Sequence, residues 1–287
     1  MTSLSIMGVG KVGAEVAYLS TVTQIADTIN IYDSVPSLLT AQKLDLLHTG
    51  IDINLNTDPE MLTESDIIVF SAGMPRTPDI KTRADLLESN LPVAREFCRM
   101  IKNYDGIVIT ITNPMDANNY FIQKESGIKR EKCIGFGGQL DLARLKYFLS
   151  KRGYDTKGAW VMGEHGEHQV PVFSGMKEEV PENIRNEILL EMRGASMPVI
   201  KGKGGTVFGP AYNVFSLIKA IINDENKLLP CSCVLRGEYN TEGCSICVPV
   251  RVGRNGISEI IECHLDSWEE EKFSCAASHL KDLCRRV

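Results

Sequence analysis

The first half of this chain is cut into five short apolar runs, at 3–7, 28–32, 66–71, 106–112 and 132–136. Each is too short for a helix, and most end at Gly, Asp, Asn or Pro, which marks them as buried strands closed by turns. Between them lie stretches with helical spacing, such as 12–20, where Val12, Val16 and Leu19 share a stripe, and 89–102. Strand, helix and strand repeated in this way dictate a parallel sheet covered on both faces, with right-handed crossovers.

The second half has a different grain. Helical patterns at 140–151 and 183–200 give way to a strand-rich stretch, 231–265, with turn signals at Arg236-Gly237, Asn240 to Gly243 and Arg254 to Gly256. These predict antiparallel sheet. A closing helix follows, in which Ser267 and Glu270 have capping-box spacing and Phe273, Ala276, Leu280 and Leu283 form the buried stripe. No low-complexity linker divides the 287 residues, so a tight boundary near Gly138 is expected, giving domains 1–138 and 139–287. The fold class is α/β: a Rossmann-type doubly wound parallel sheet followed by an α+β domain with antiparallel sheet.

Gly8-Val9-Gly10-Lys11-Val12-Gly13 directly follows the first apolar run and opens the first helix. After a strand, that spacing permits a tight turn, close backbone approach to a pyrophosphate, and an anion at the helix N-terminus. Asp33 ends the second run, where a carboxylate accepts hydrogen bonds from an adenosine ribose diol and repels the extra phosphate of NADP. NAD is therefore the expected cofactor.

A formal net charge of −6, without a long basic run, argues against nucleic acid or an anionic membrane as the main partner. No segment offers about 18 uninterrupted apolar residues for a membrane span. Nine cysteines, an odd number in a chain of this size, fit free thiols in a reducing compartment, and the N-terminal residues lack a signal pattern, so a cytoplasmic location is expected. Cys231 and Cys233 would share a strand face while Cys244 and Cys247 would lie on opposite faces of another. That arrangement suits packing better than a metal tetrahedron, and no metal site is assigned.

Of five histidines, His165 stands apart in Gly163-Glu164-His165-Gly166, at a strand end where flanking glycines would expose its ring. Asp141 and Arg144 stand three apart and would share one helix face. A lone turn histidine is more often solvated and an Asp-x-x-Arg pair more often a surface ion pair, so their meaning rests on what else the chain carries.

The ordered set Gly8-x-Gly10-x-x-Gly13, Asp33, Pro75-Arg76, Thr82-Arg83, Thr112-Asn113-Pro114, Asp141-x-x-Arg144, Gly163-Glu164-His165-Gly166 and Lys203-Gly204-Gly205-Thr206 resembles the lactate/malate dehydrogenase family. The likeness spans nearly the whole chain and is greatest to its archaeal malate dehydrogenases. It implies an NAD-dependent oxidoreductase acting on a small dicarboxylate, malate/oxaloacetate, with a place in the tricarboxylic acid cycle. His165 would be the acid/base, Asp141 its orienting partner, Arg144 the clamp on the substrate C1 carboxylate, and Arg83 the group that polarises the carbonyl. Asn113 would contact the same oxygen and Thr206 would line the pocket. Gly8, Gly10, Lys11, Val12, Gly13, Asp33, Gly73, Asn90, Ile111, Thr112 and Asn113 would hold the cofactor.

In that family, arginine at the place of Arg76 accompanies dicarboxylates and glutamine accompanies pyruvate, since an unpaired carboxylate in a closed site is costly. The loop 74–83 would close over substrate. Six residues separate Arg76 from Arg83, one more than usual in the family, which keeps a lactate-like or other 2-hydroxy-acid dehydrogenase as the alternative. The segment 174–191 is also shorter than usual. The resemblance further implies a homodimer or homotetramer, with helix 42–49, carrying Asp45 and His48, as either a subunit contact or plain surface.

Overall fold

The computed structural model describes residues 2–74 and 83–287, the side chains of residues 83 and 84 excepted. The Arg76 and Arg83 assignments and most of the loop 74–83 therefore lie outside the described residues.

Strands β1 (Ser3–Met7), β2 (Thr28–Tyr32), β3 (Asn54–Asn56), β4 (Ile67–Phe70), β5 (Ile107–Thr110) and β6 (Cys133–Gly135) pair in parallel in the order β3-β2-β1-β4-β5-β6. Every residue of β4 and of β5 is buried, as expected of strands with helices on both faces. The crossovers are α1 (Lys11–Thr23), α2 (Pro36–Leu47), α3 (Arg83–Met100) and α4 (Met115–Ser126). The chain leaves β1 for β2 on one side, and β4 takes the other side, so a crevice opens at the carboxyl ends of β1 and β4.

The second half adds α5 (Gly138–Lys151), β7 (Trp160–Gly163), β8 (Gln169–Val172), α6 (Glu182–Gly194), α7 (Met197–Lys203), α8 (Phe208–Ile222), β9 (Lys227–Arg236), β10 (Glu242–Gly253), β11 (Gly256–Ile260) and α9 (Ser267–Cys284). Its strands are antiparallel, and β9 meets β6 at Ser232 and Gly135, so one sheet runs through both halves. Cys231, Cys233, Cys244 and Cys247 are buried free thiols in β9 and β10, with Cys231 opposite Val248 and Cys233 opposite Ile246. No single helix among the described residues is long and apolar enough to cross a membrane.

Several features differ from the sequence reading: β3 and α8 were not foreseen, and α3 begins at Arg83, ahead of the expected 89. The expected helix 183–200 is two, α6 and α7: Ala195 and Ser196 keep helical backbone angles, but Pro198 has no N–H to donate to Gly194 O, so the hydrogen-bond ladder is interrupted between them. The capping box of α9 is Asp266 with Glu269, one residue earlier than the Ser267/Glu270 pair. Glu269 fixes that register: fully buried, its Oε1 accepts from Phe173 N (2.6 Å) and Ser174 N (2.9 Å) while Oε2 accepts from Asp266 N (3.0 Å). Helix α4 was not foreseen, since Asp116, Asn118 and Asn119 interrupt any apolar stripe yet are buried and hydrogen-bonded.

Glu269→Ala is expected to cost about 3 kcal/mol, because three backbone N–H groups lose a charged acceptor. Thermal unfolding checks this, with an expected fall in Tm of roughly 5–10 °C.

Candidate active site

The glycine turn stands at the carboxyl end of β1. Gly8 has φ +93°, and a Cβ there would lie 2.3 Å from Ala72 N, so this strand end abuts the end of β4 in a way that only glycine allows. A Cβ on Gly13 would lie 1.9 Å from Gly8 O, which seats the helix hard against the turn. Gly10 is the opposite case: a Cβ there would meet nothing within 4 Å. It is the N-cap of α1, with no side-chain cap and no acid in the first turn. The positive end of the helix thus faces open space, a fit for a diphosphate.

Asp33 follows β2 and accepts from Val9 N (3.0 Å) and Val35 N (3.0 Å), which fixes its carboxylate beside the turn. Val12 packs partly buried against the core. Lys11 donates from Nζ to Gly204 O at 2.8 Å, drawing the loop that carries Thr206 to the glycine turn across 193 residues of chain.

Across the crevice, Asn90 on α3 ties two strand ends together. Its Oδ1 accepts from Met74 N (2.7 Å), and its Nδ2 donates to Asn113 O (2.8 Å). A Cβ on Gly73 would lie 2.5 Å from Thr112 Cγ2 and 2.9 Å from Asn90 Oδ1, so the end of β4 presses on the end of β5. Ile111 N donates to Phe70 O at 2.9 Å, and Thr112 Oγ1 donates to Ala72 O at 2.8 Å. Asn113 is exposed and precedes Pro114 in a cis peptide.

At the same edge of the sheet, Asp141 in the first turn of α5 meets His165 in the β7–β8 turn, with Nδ1 2.7 Å from Oδ2. The ring packs on the β6–α5 turn, where a Cβ on Gly137 would lie 2.4 Å from His165 Cγ. Arg144 Nη1 donates to Asp141 Oδ1 at 3.1 Å, so one carboxylate receives both groups. Burial pushes the Asp141 carboxyl up, but His165 and Arg144 outweigh it and hold the carboxyl below its usual range. The folded value is lower than the unfolded value of about 3.9, so this ionisation stabilises the fold above that pH. The contribution is lost as pH falls through the folded value.

Sequence reasoning missed Asp116. Buried on α4, its Oδ2 accepts from His165 N (2.8 Å) and its Oδ1 from Ser232 Oγ (2.6 Å), while Ser232 meets Ser245 at 2.8 Å. Burial, aided by Glu164, pushes its carboxyl up to about 6 against these hydrogen bonds. The signal present was an acid just after Asn113-Pro114, at the start of a helix whose spacing was unreadable.

Two family models match the chain: lactate/malate dehydrogenase, NAD binding domain, over residues 2–135, and lactate/malate dehydrogenase, alpha/beta C-terminal domain, over residues 138–287. Malate dehydrogenase of Natronomonas pharaonis is 38% identical, with 98% of each chain covered. L-lactate dehydrogenase 1 of Bacillus cereus is 32% identical, over 96% of this chain and 95% of that one. The structure of Archaeoglobus fulgidus malate dehydrogenase in complex with NADH superposes with a TM-score of 0.90 at 32% identity, covering 99% of both chains.

Proposed function

Because this chain belongs to the lactate/malate dehydrogenase family, we propose that it is an NAD-dependent malate dehydrogenase that uses His165 as its acid/base. The observation that carries the residue roles is the 2.7 Å pairing of His165 with Asp141 at the sheet edge that also bears the glycine turn. Malate is supported by archaeal malate dehydrogenases at 34–38% identity over nearly the full chain.

NAD is the cofactor, and it supplies the hydride acceptor and donor. Gly8, Gly10, Lys11, Val12 and Gly13 hold its pyrophosphate, and Asp33 takes the ribose diol. Gly73, Asn90, Ile111, Thr112 and Asn113 border the nicotinamide side. With Nδ1 engaged by Asp141, His165 takes the C2 hydroxyl proton at Nε2 and returns it in reduction. Asp141 fixes the tautomer and stabilises the imidazolium. Arg144 clamps the C1 carboxylate; a guanidinium has five donors, and Asp141 takes one. Arg83 and Asn113 meet the carbonyl oxygen, Thr206 lines the pocket, and the loop 74–83 excludes water on closing.

Oxidation of NADH or NADPH with oxaloacetate, pyruvate and 2-oxoglutarate, followed at the NADH band, tests this reading. Oxaloacetate with NADH is expected to be fastest. Pyruvate as the best substrate would make the enzyme lactate-like, a reading favoured by the longer spacing between Arg76 and Arg83. Arg76→Gln should lower kcat/KM for oxaloacetate by about 10²-fold or more, the scale of a lost charge pair in a closed site, and leave pyruvate much less affected. Equal losses on both would make Arg76 a surface charge.

We place the domain boundary at residue 138 and the enzyme in the cytoplasm and the tricarboxylic acid cycle, as a homodimer or homotetramer. The exposed Leu44 and Leu47 on α2, in the helix of Asp45 and His48, support a subunit contact there.

A further inference from the structure

The turn that presents His165 carries a second histidine, and the proposed reaction uses neither it nor its neighbours. His168, at the far end of the turn, stacks on His279 of α9 with ring centroids 4.2 Å apart. Glu164 lies beneath both: its Oε2 is 2.8 Å from His168 Nδ1 and its Oε1 is 3.8 Å from His279 Nε2. The carboxylate is 2% exposed, whereas the rings are 31% and 37% exposed. A buried anionic oxygen pair thus forms the floor of a shallow site, and two imidazoles form walls that solvent reaches.

We propose that Glu164, His168 and His279 bind a divalent transition-metal ion of the zinc class. One atom from each of the three lies within 4.8 Å of the others, and among the described residues no other histidine, cysteine or acid group meets this test. Zinc bound at about 2.0–2.1 Å in a tetrahedron holds its ligand atoms ~3.3 Å apart. The present separations of 2.8 and 3.8 Å run to different oxygens of the carboxylate, and the stacked rings must swing apart before both lone pairs point at one ion, a movement that their exposure to solvent permits. Two imidazoles with one carboxylate select zinc, nickel or copper over calcium or magnesium, which prefer oxygen donors. A water completes the shell. A neutral His168 ligates through Nδ1 with its proton carried on Nε2, so binding exchanges the Nδ1 contact with Glu164 for a bond to the ion and leaves the imidazole neutral.

The ion would clip α9 to the catalytic turn. Glu164 Oε2 also accepts from His168 N at 3.0 Å, so the same carboxylate that shapes the turn would hold the metal. The bound ion adds rigidity and no reaction chemistry, and the proposal stands apart from the substrate assignment.

Metal-stripped enzyme titrated calorimetrically with zinc chloride tests it, beside His279→Asn, His168→Asn and Cys275→Ser, the last removing an exposed thiol. One zinc per chain is expected, with a rise in Tm. Affinity should fall at least about tenfold in each histidine variant, since even residues behind the ligands change it by that much. Cys275→Ser should bind as the parent does. Should His168→Asn fail to fold, His279→Asn alone decides. Zinc binding that is absent, unchanged in His279→Asn, or lost in Cys275→Ser overturns the proposal.

Discussion

His165→Asn is expected to lower kcat for oxaloacetate reduction by about 10²–10⁴-fold, the usual scale for losing a positioned acid/base, while NADH affinity stays within a few-fold. The separation follows from the fold. His165 sits in the β7–β8 turn, whereas the glycine turn and Asp33 follow β1 and β2, so the residues assigned to the pyrophosphate and the ribose diol are untouched by the substitution. Asparagine preserves a polar group of similar reach beside Asp141 and leaves the His165 N to Asp116 hydrogen bond in place, so the turn should keep its shape. Fluorescence titration of NADH and steady-state rates check both halves. Unchanged kcat would remove His165 from the chemistry, and lost NADH binding would mean that the substitution had unfolded the site.

Arg144→Leu should lower kcat/KM for oxaloacetate by about 10²–10⁴-fold, because two charge-assisted hydrogen bonds to the C1 carboxylate are each worth about 1.5–3 kcal/mol. Arg144→Lys should fall between, since an ammonium keeps the charge and loses the fork. Added guanidinium ion should restore part of the rate to the leucine variant and none to the parent. Arg144 also contacts Asp141 at 3.1 Å, so two origins of a loss need separating. A vanished clamp responds to guanidinium with a lower KM for oxaloacetate. A disturbed Asp141 would instead show a lower kcat with KM unchanged, which would make Arg144 a support for the acid/base pair.

The parallel sheet was legible because its central strands are buried on both faces: Ile67–Phe70 is apolar without interruption, Ile107–Thr110 is apolar but for its buried last residue, and both lead into turn residues. The glycine turn was legible because its steric demands are local, as the close approaches of Gly8 and Gly13 show. The meeting of His165 with Asp141 was anticipated from a family resemblance, since residues 24 apart on a turn and a helix leave no periodic mark. Asp116, Ser232 and Ser245 were hidden for the same reason, compounded by burial of polar groups that normally signal surface. Lys11 was read as a cofactor contact, but its hydrogen bond to Gly204 joins distant segments and has no sequence signature. The α9 register was missed because Asp266 and Ser267 are both good caps; the choice between them rests on Glu269 reaching Phe173 and Ser174.

Proton uptake on binding of an unreactive 2-keto-acid analogue to the enzyme–NADH complex, followed with a pH indicator in weak alkaline buffer, reports directly on whether His165 is the group that takes the proton. About one proton per chain is expected for the parent enzyme and none for His165→Asn. Equal uptake by both, or none by the parent, would contradict the role assigned to the His165–Asp141 pair.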